Sequence, residues 1–164
     1  MPCTSCRQPK TAHLLALNRV LGRWEGTPYR SGQRIRGMAV DCVQLVAGVL
    51  DDLFGRPCGA TPVPRLKPDS AIHSPGSAIP TVRALVKGFG AVRVNGSPRP
   101  GDILVVRATT FENVGPRRPG HTMIVGALRG QLLHALPPQV CFTSLCDPSS
   151  ILRIYRTDPK EWQT

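Results

Sequence analysis

The hydrophobic pattern changes along this chain from helical spacing to short strand-like runs, and this change constrains the fold most. Between Thr11 and Trp24, apolar residues recur at helical intervals, which predicts a helix with one buried face. The same reasoning predicts a second helix from Asp41 to about Phe54 and a shorter one from Thr81 to Phe89. Strand-like segments follow: Ala91–Val94, Asp102–Arg107, His121–Leu128, Gln131–Leu136, Gln139–Leu145 and Ile151–Arg156.

The order of these segments indicates the fold class. Helices that precede a run of strands predict an α+β protein, with N-terminal helices packed on an antiparallel sheet of about five to six strands. The 164 residues fit one domain with a hydrophobic core. We expect this domain to span residues 11–158, between tails at 1–10 and 159–164, with a proline-rich insertion at 56–80.

The net charge of the chain points to an anionic partner. The formal charge is +11 and the pI is near 10.3. The basic residues are scattered instead of lying on one helix or alternating with aromatic residues, so the pattern disfavours a specific nucleic-acid reader. Diffuse attraction to an anionic cell-wall polymer fits better. The apolar stretches are too short to span a membrane, and no secretory signal is visible at the N-terminus.

Six cysteines stand at positions 3, 6, 42, 58, 141 and 146. The pairs Cys3/Cys6 and Cys141/Cys146 could together supply four thiolates to a structural zinc ion. No apolar residue anchors the N-terminal pair near the distant one, so we expect no obligate zinc site. The alternative for these residues is an N-terminal tail and two cysteines packed in or beside a strand.

Cys42 and two histidines carry the pattern of nucleophilic catalysis. Cys42 stands at the start of the second predicted helix, where the helix dipole should stabilise a thiolate, the nucleophile of acyl transfer. His121 opens an apolar strand and could accept the thiol proton. If residues 121–128 and 131–136 form a hairpin, His134 lies near His121 and can orient its ring. A buried structural cysteine and ordinary strand histidines are the alternative.

Five short segments, in a fixed order, carry a family pattern. They are Gly26-Thr27-Pro28-Tyr29-Arg30-Ser31-Gly32, then Asp41-Cys42-Val43-Gln44-Leu45-Val46 after Gly37, then Pro100-Gly101-Asp102-Ile103-Leu104, and finally Gly120-His121-Thr122-Met123-Ile124-Val125-Gly126 with Leu132-Leu133-His134-Ala135. In this order they resemble the NlpC/p-sixty family of cell-wall cysteine peptidases. The resemblance extends from about residue 11 to residue 136.

This resemblance implies a papain-like fold and hydrolysis of amide bonds in the stem peptides of bacterial peptidoglycan, without a cofactor or a metal ion. It implies Cys42 as nucleophile, His121 as general base and His134 as the residue that orients the base. Tyr29 matches a family tyrosine whose hydroxyl helps to hold the oxyanion, together with a backbone amide near the helix start. A half-buried anchor of its loop is the other role open to Tyr29.

The chain departs from the family pattern around the nucleophile and in the spacing of the site. Val43-Gln44 replaces the usual Ser-Gly, so Gln44 implies an altered substrate pocket. The separation of 79 positions between Cys42 and His121 is long for the family, as in its phage-tail members. Arg117 and Arg118 precede the histidine strand and could select an acidic stem-peptide carboxylate.

Other functions stay open from the sequence. A papain-like module could serve a phage tail or envelope assembly by its shape, without turnover. A thiol acyltransferase or deamidase would show the same residues, and a zinc-dependent nucleic-acid module would leave the ordered motifs unexplained. We expect the protein in the bacterial cell envelope or a phage tail, with peptidoglycan and tail proteins as partners.

Overall fold

The described part of the chain folds into three helices and eight strands. The computed structural model describes residues 10–63, 78–107, 120–128, 130–144 and 147–163. The helices are α1 (Thr11–Trp24), α2 (Cys42–Leu53) and α3 (Ala78–Lys87). The strands are β1 (Arg34–Ile35), β2 (Ala39–Val40), β3 (Val92–Val94), β4 (Ile103–Val106), β5 (His121–Val125), β6 (Gln131–Leu136), β7 (Gln139–Ser144) and β8 (Ile151–Arg156). None of the helices within these ranges is long and apolar enough to cross a membrane.

Strands β3 to β8 form one sheet in the order β3-β8-β4-β5-β6-β7. Each pair of neighbouring strands in it is antiparallel. β1 and β2 pair separately as a short ribbon just before α2. The predicted α+β class and the antiparallel sheet of about five to six strands are therefore confirmed, and each of the six predicted strand segments contains one strand of this sheet.

Helix α2 lies at the centre of the hydrophobic core. Every residue of α2 from Leu45 to Asp51 is buried, and the helix packs between α1 and the sheet. From α1, Leu17, Leu21 and Trp24 reach the same core with no exposed surface. Gly48 allows the two helices to approach closely, because a Cβ atom at this position would overlap the Trp24 ring.

The sheet has two buried faces. The face on which a side chain lies decides which candidate site residues it can contact. We call the face towards the helices the helix face; it carries Ile103, Val105, Ile124, Leu133, Ala135 and Tyr155 in the main core. The opposite surface, called here the far face, carries a second cluster of Leu104, Val106, Met123, Val125, Leu132 and Ile154. Successive residues of a strand alternate between the two faces, so each position in β5 and β6 has a defined side.

Two differences from the sequence expectations concern the start of α3 and the C-terminal end of the domain. Helix α3 begins at Ala78, before Pro80, because proline is tolerated in the first helical turn, where amide groups have no intrahelical partner. Residues 159–164 were expected to be a tail, but Trp162 is only 5% exposed and donates its ring N–H to Thr157 Oγ1 at 3.1 Å. The packed domain therefore continues past residue 158.

The first part of the predicted insertion at 56–80 folds back on α2. Buried Asp51 accepts hydrogen bonds from Thr61 Oγ1 at 2.5 Å and from the Gly59 amide at 3.2 Å. Arg34 lies 3.6 Å from the same carboxylate. These contacts fix residues 59–61 beside the helix that begins with Cys42. The remaining positions 64–77 of the insertion lie outside the described residues, as does the tail at 1–9.

Candidate active site

Cys42 is the first residue of α2, and Asp41 caps this helix. One Asp41 carboxylate oxygen accepts a hydrogen bond from the Gln44 amide at 2.8 Å, the usual N-cap contact. The other oxygen accepts from the Gly32 amide at 2.6 Å, which ties the preceding loop to the helix start. Cys42 packs against the main core, as does half-buried Tyr29.

The Cys42 thiol is protonated at rest. Burial, followed by the adjacent negative charge of Asp41, raises its pKa above the ordinary value, and contacts with Thr122 and the Val43 amide offset only part of this effect. The expectation that the helix start would stabilise a thiolate is therefore corrected. Loss of hydration and the negative charge of the capping carboxylate both act against a thiolate at this helix start.

His121 and His134 meet across the β5–β6 hairpin, as their spacing predicted. His121 Nε2 lies 3.1 Å from His134 Nδ1, and the rings contact each other edge to face. The two side chains are only 6% and 3% exposed. Burial, and then the neighbouring His134, lowers the pKa of His121 to about 3, and burial lowers the pKa of His134. Both rings are neutral at physiological pH.

The strand register places these histidines on the far face of the sheet. His121 pairs with Val106, a residue of the far-face cluster, whereas Thr122 pairs with Val105 on the helix face. The residue of β5 that faces the Cys42 thiol is accordingly Thr122. Its buried hydroxyl has no well-aligned hydrogen-bond partner among the described residues. The structure thus places Thr122 beside Cys42 and His134 beside His121.

Cys141 lies beside the two histidines. Cys141 on β7 stands opposite His134 in the strand register, and its Sγ lies 3.5 Å from His134 Nε2. Sequence reasoning considered Cys141 only as a zinc ligand or as a packed strand residue. The spacing of His134 and Cys141 across Pro137-Pro138 is compatible with a tight hairpin and could have indicated this contact.

Of the other residues predicted for the site, the structure describes Tyr29 and Gln44 but not the two arginines. Tyr29 pairs through its backbone with Val40, and its amide donates to the Pro138 carbonyl at 2.9 Å, so the structure describes it as part of the loop framework. Gln44 lies partly buried in the first turn of α2. Arg117 and Arg118 lie outside the described residues, and so do Cys3, Cys6 and Cys146. Within the described ranges, no cluster of three or more His, Cys, Asp or Glu side chains could hold a metal ion.

Comparison with known proteins adds a similarity of fold. No family model matches the sequence, and no curated protein matches it. Among solved structures, the chain is similar to a Staphylococcus aureus protein described as similar to a lipoprotein of the NLP/P60 family, another spelling of NlpC/p-sixty. The TM-score is 0.54 and the sequence identity 16%, over 94% of this chain. The match spans 44% of the solved chain, less than half of its length. This similarity supports the papain-like arrangement of helices and sheet.

Proposed function

We propose that this chain is a thiol-dependent amide hydrolase that cleaves stem peptides of bacterial peptidoglycan, with Cys42 as nucleophile. The observation that carries the proposal is the position of Cys42 in the first turn of α2, packed on an antiparallel sheet in an NLP/P60-like fold. A thiol at this place can attack an acyl carbon while nearby backbone amides stabilise the oxyanion. We assign the protein to the cell envelope or a phage tail.

The raised pKa of Cys42 sets a condition on the reaction. Because the thiol is protonated, a base must remove its proton as the sulfur attacks the carbonyl carbon. The resemblance assigns this role to His121, with His134 as orienter. His121 is the first residue of β5, and its ring would have to reach around the strand end, since Thr122 occupies the position that faces the thiol.

Substrate contacts follow from the same assignment. Tyr29 and the Cys42 amide are the groups we propose for the oxyanion. Gln44 would shape the pocket beside the nucleophile, and Arg117 and Arg118 would select an acidic carboxylate of the stem peptide. These contacts need no cofactor.

The release of new amino groups from purified peptidoglycan tests the proposal. We expect Cys42→Ser to abolish release, whereas Cys58→Ser, which alters an exposed cysteine, should leave it unchanged. His121→Ala should reduce the rate by about 100- to 10,000-fold and His134→Ala by less, since an orienter is partly replaceable. If neither histidine variant changes the rate, the assigned base is wrong.

One observation favours a second candidate, a papain-like module that binds the wall or a tail assembly without turnover. Thr122, not a histidine, faces the Cys42 thiol, and that thiol is protonated. This candidate predicts wall binding that is equal for wild type and Cys42→Ser, with no amino groups released by either. Release by the wild type alone would exclude it.

A further inference from the structure

Cys141, His134 and His121 form a continuous chain of contacts on the far face of the sheet. Cys141 Sγ lies 3.5 Å from His134 Nε2, and His134 Nδ1 lies 3.1 Å from His121 Nε2. We propose that Cys141 is a second nucleophilic thiol, with His134 as its general base and His121 as the positioning residue. It would accept acyl groups from uncharged esters or thioesters.

The proton transfer from Cys141 determines which ring nitrogens of His134 and His121 donate hydrogen bonds and which accept them. For His134 Nε2 to accept the thiol proton, it must be unprotonated, so the ring proton of His134 lies on Nδ1 and is donated to His121 Nε2. His121 must then be neutral, with its own proton on Nδ1. Its burial meets this requirement, because it holds the pKa of His121 at about 3. The proton transfer proposed for Cys42 uses the opposite tautomer of each ring, so one tautomer pair serves only one of the two thiols at a time.

The two histidines are buried and Cys141 is exposed, as a nucleophilic centre requires. His121 and His134 are almost completely buried on adjacent strands, so their rings are held in place. Cys141 is exposed on β7, at the edge of the sheet order, where a small molecule can reach its sulfur. A nucleophile within reach of a base, itself oriented by a third group, is the general geometry of covalent catalysis.

The surroundings of Cys141 indicate the class of acyl donor. Partial burial and the negative charge of Glu25 raise the pKa of the Cys141 thiol, so a free thiolate is disfavoured and proton removal by the base matters more. The same charge would repel an anionic donor. An uncharged ester or thioester is therefore the best match.

The proposed step balances as an acyl transfer. The Cys141 sulfur attacks the carbonyl carbon, forming a C–S bond, while its proton moves to His134 Nε2. The ester C–O bond then breaks, and the leaving alcohol or phenol takes its electron pair and the proton. The product is a thioester on Cys141, which water cleaves to a carboxylic acid and the free thiol.

The test uses p-nitrophenyl acetate with the full chain, and peptide mass spectrometry to measure acetylation of each cysteine. Exposed Cys58 is the internal control. At neutral pH we expect Cys141 to be acetylated about 100-fold faster than Cys58, the usual scale of general-base assistance. His134→Gln should reduce the Cys141 rate to that of Cys58. A wild-type Cys141 rate no higher than that of Cys58 overturns the proposal.

A pH profile of the wild type supplies a readout that does not depend on folding of a variant. A thiol that reacts only through its thiolate becomes about tenfold faster per pH unit below its pKa. Cys141 should instead keep a nearly constant rate between about pH 6.5 and pH 8, because neutral His134 is the base throughout this range. A rate that rises steadily with pH would overturn the role of His134.

The role of His121 is tested by the kind of group that replaces it. His121→Asn retains a hydrogen-bond acceptor, so acetylation of Cys141 should stay nearly independent of pH between about pH 6.5 and pH 8. In His121→Leu the acetylation rate should instead rise with pH. If the rate stays independent of pH in both variants, His121 does not position the base. Because acetylation is read at Cys141 itself, this outcome is separate from the hydrolysis of peptidoglycan by Cys42.

Discussion

Asp41 has two opposing effects on Cys42. Its carboxylate caps α2 through the Gln44 amide and holds the loop at Gly32, which fixes the thiol in position. Its negative charge also raises the pKa of the thiol and so reduces the thiolate population. The cap therefore positions the proposed nucleophile but opposes its ionisation.

Replacement of Asp41 by Asn separates these effects. Asn is an equally good N-cap, so α2 should stay intact while the charge is removed. We expect the pKa of Cys42 to fall and its alkylation by iodoacetamide at neutral pH to become several-fold faster. Peptide mass spectrometry measures this rate, with Cys58 as internal control. Unchanged or slower alkylation of Cys42 would contradict the proposed effect of the Asp41 charge.

His121 makes the stability of the fold dependent on pH. Its pKa is lowered by burial, from an ordinary value near 6.5 to about 3, so the unfolded chain binds a proton in this range that the folded chain does not. The contribution is fully present above pH 6.5 and is lost progressively as the pH falls towards 3. His134 adds an effect of the same sign through its lowered pKa.

Urea denaturation at several pH values checks this prediction. The free energy of unfolding of the wild type should fall between neutral pH and about pH 5, before most carboxylates protonate. His121→Gln cannot bind this proton, so its stability should fall less over the same range, whatever its stability at neutral pH. Equal pH dependence of the two proteins would show that His121 does not titrate in this way.

At the scale of elements, the contact between α1 and α2 depends on Gly48. An added methyl group there would overlap the Trp24 ring, which is fully buried. We expect Gly48→Ala to lower the free energy of unfolding by about 1–3 kcal/mol, the usual cost of overpacking a core. Chemical denaturation measures this loss.

Gly22→Ala is the matched control. Gly22 also lies in a helix, but no atom beyond its chain neighbours and its own helix backbone lies within 4 Å of a Cβ placed there, and the residue is exposed. This substitution should stabilise α1 by about 0.5–1 kcal/mol through helix propensity. If both substitutions change stability in the same direction and by the same amount, the close approach at Gly48 is not what limits the packing.

The elements were predictable where a local pattern determines them. The apolar spacing of α1 gave its bounds from Thr11 to Trp24, and the strand-like runs indicated all six strands of the large sheet. The helix predicted from Thr81 begins three residues earlier, at Ala78, because the first helical turn accepts Pro80. Trp162 was missed as a core residue because isolated burial after the last strand has no periodic signal.

The assembly of the site was less predictable than its residues. The hairpin that joins His121 to His134 follows from local spacing, and the structure contains it. The face of the sheet on which these residues lie depends on the register of β5 against β4 and on the side occupied by α2. These are long-range relations, and a shift of one residue would reverse them. The sequence alone therefore could not place Thr122 opposite Cys42.

At the scale of the whole molecule, the charge of +11 predicts electrostatic binding to the bacterial wall that we propose as the substrate. Attraction between exposed basic groups and an anionic polymer is screened by salt, with a reach of about 10 Å at 0.1 M and about 3 Å at 1 M. We expect binding to purified walls in sedimentation assays to weaken steeply over this range. Binding that is insensitive to salt would contradict electrostatic recruitment and indicate recognition by shape.

The proposed hydrolysis of peptidoglycan amide bonds through Cys42 can be measured directly. The most direct measurement is mass spectrometry of the soluble fragments released from purified peptidoglycan of several bacteria, by wild type and by Cys42→Ser at equal concentration. We expect the wild type to release fragments with a newly formed amine and carboxylate at one stem-peptide bond, and Cys42→Ser to release none. Release of the same fragments by Cys42→Ser, or of no fragments by the wild type from any wall, would contradict the proposal.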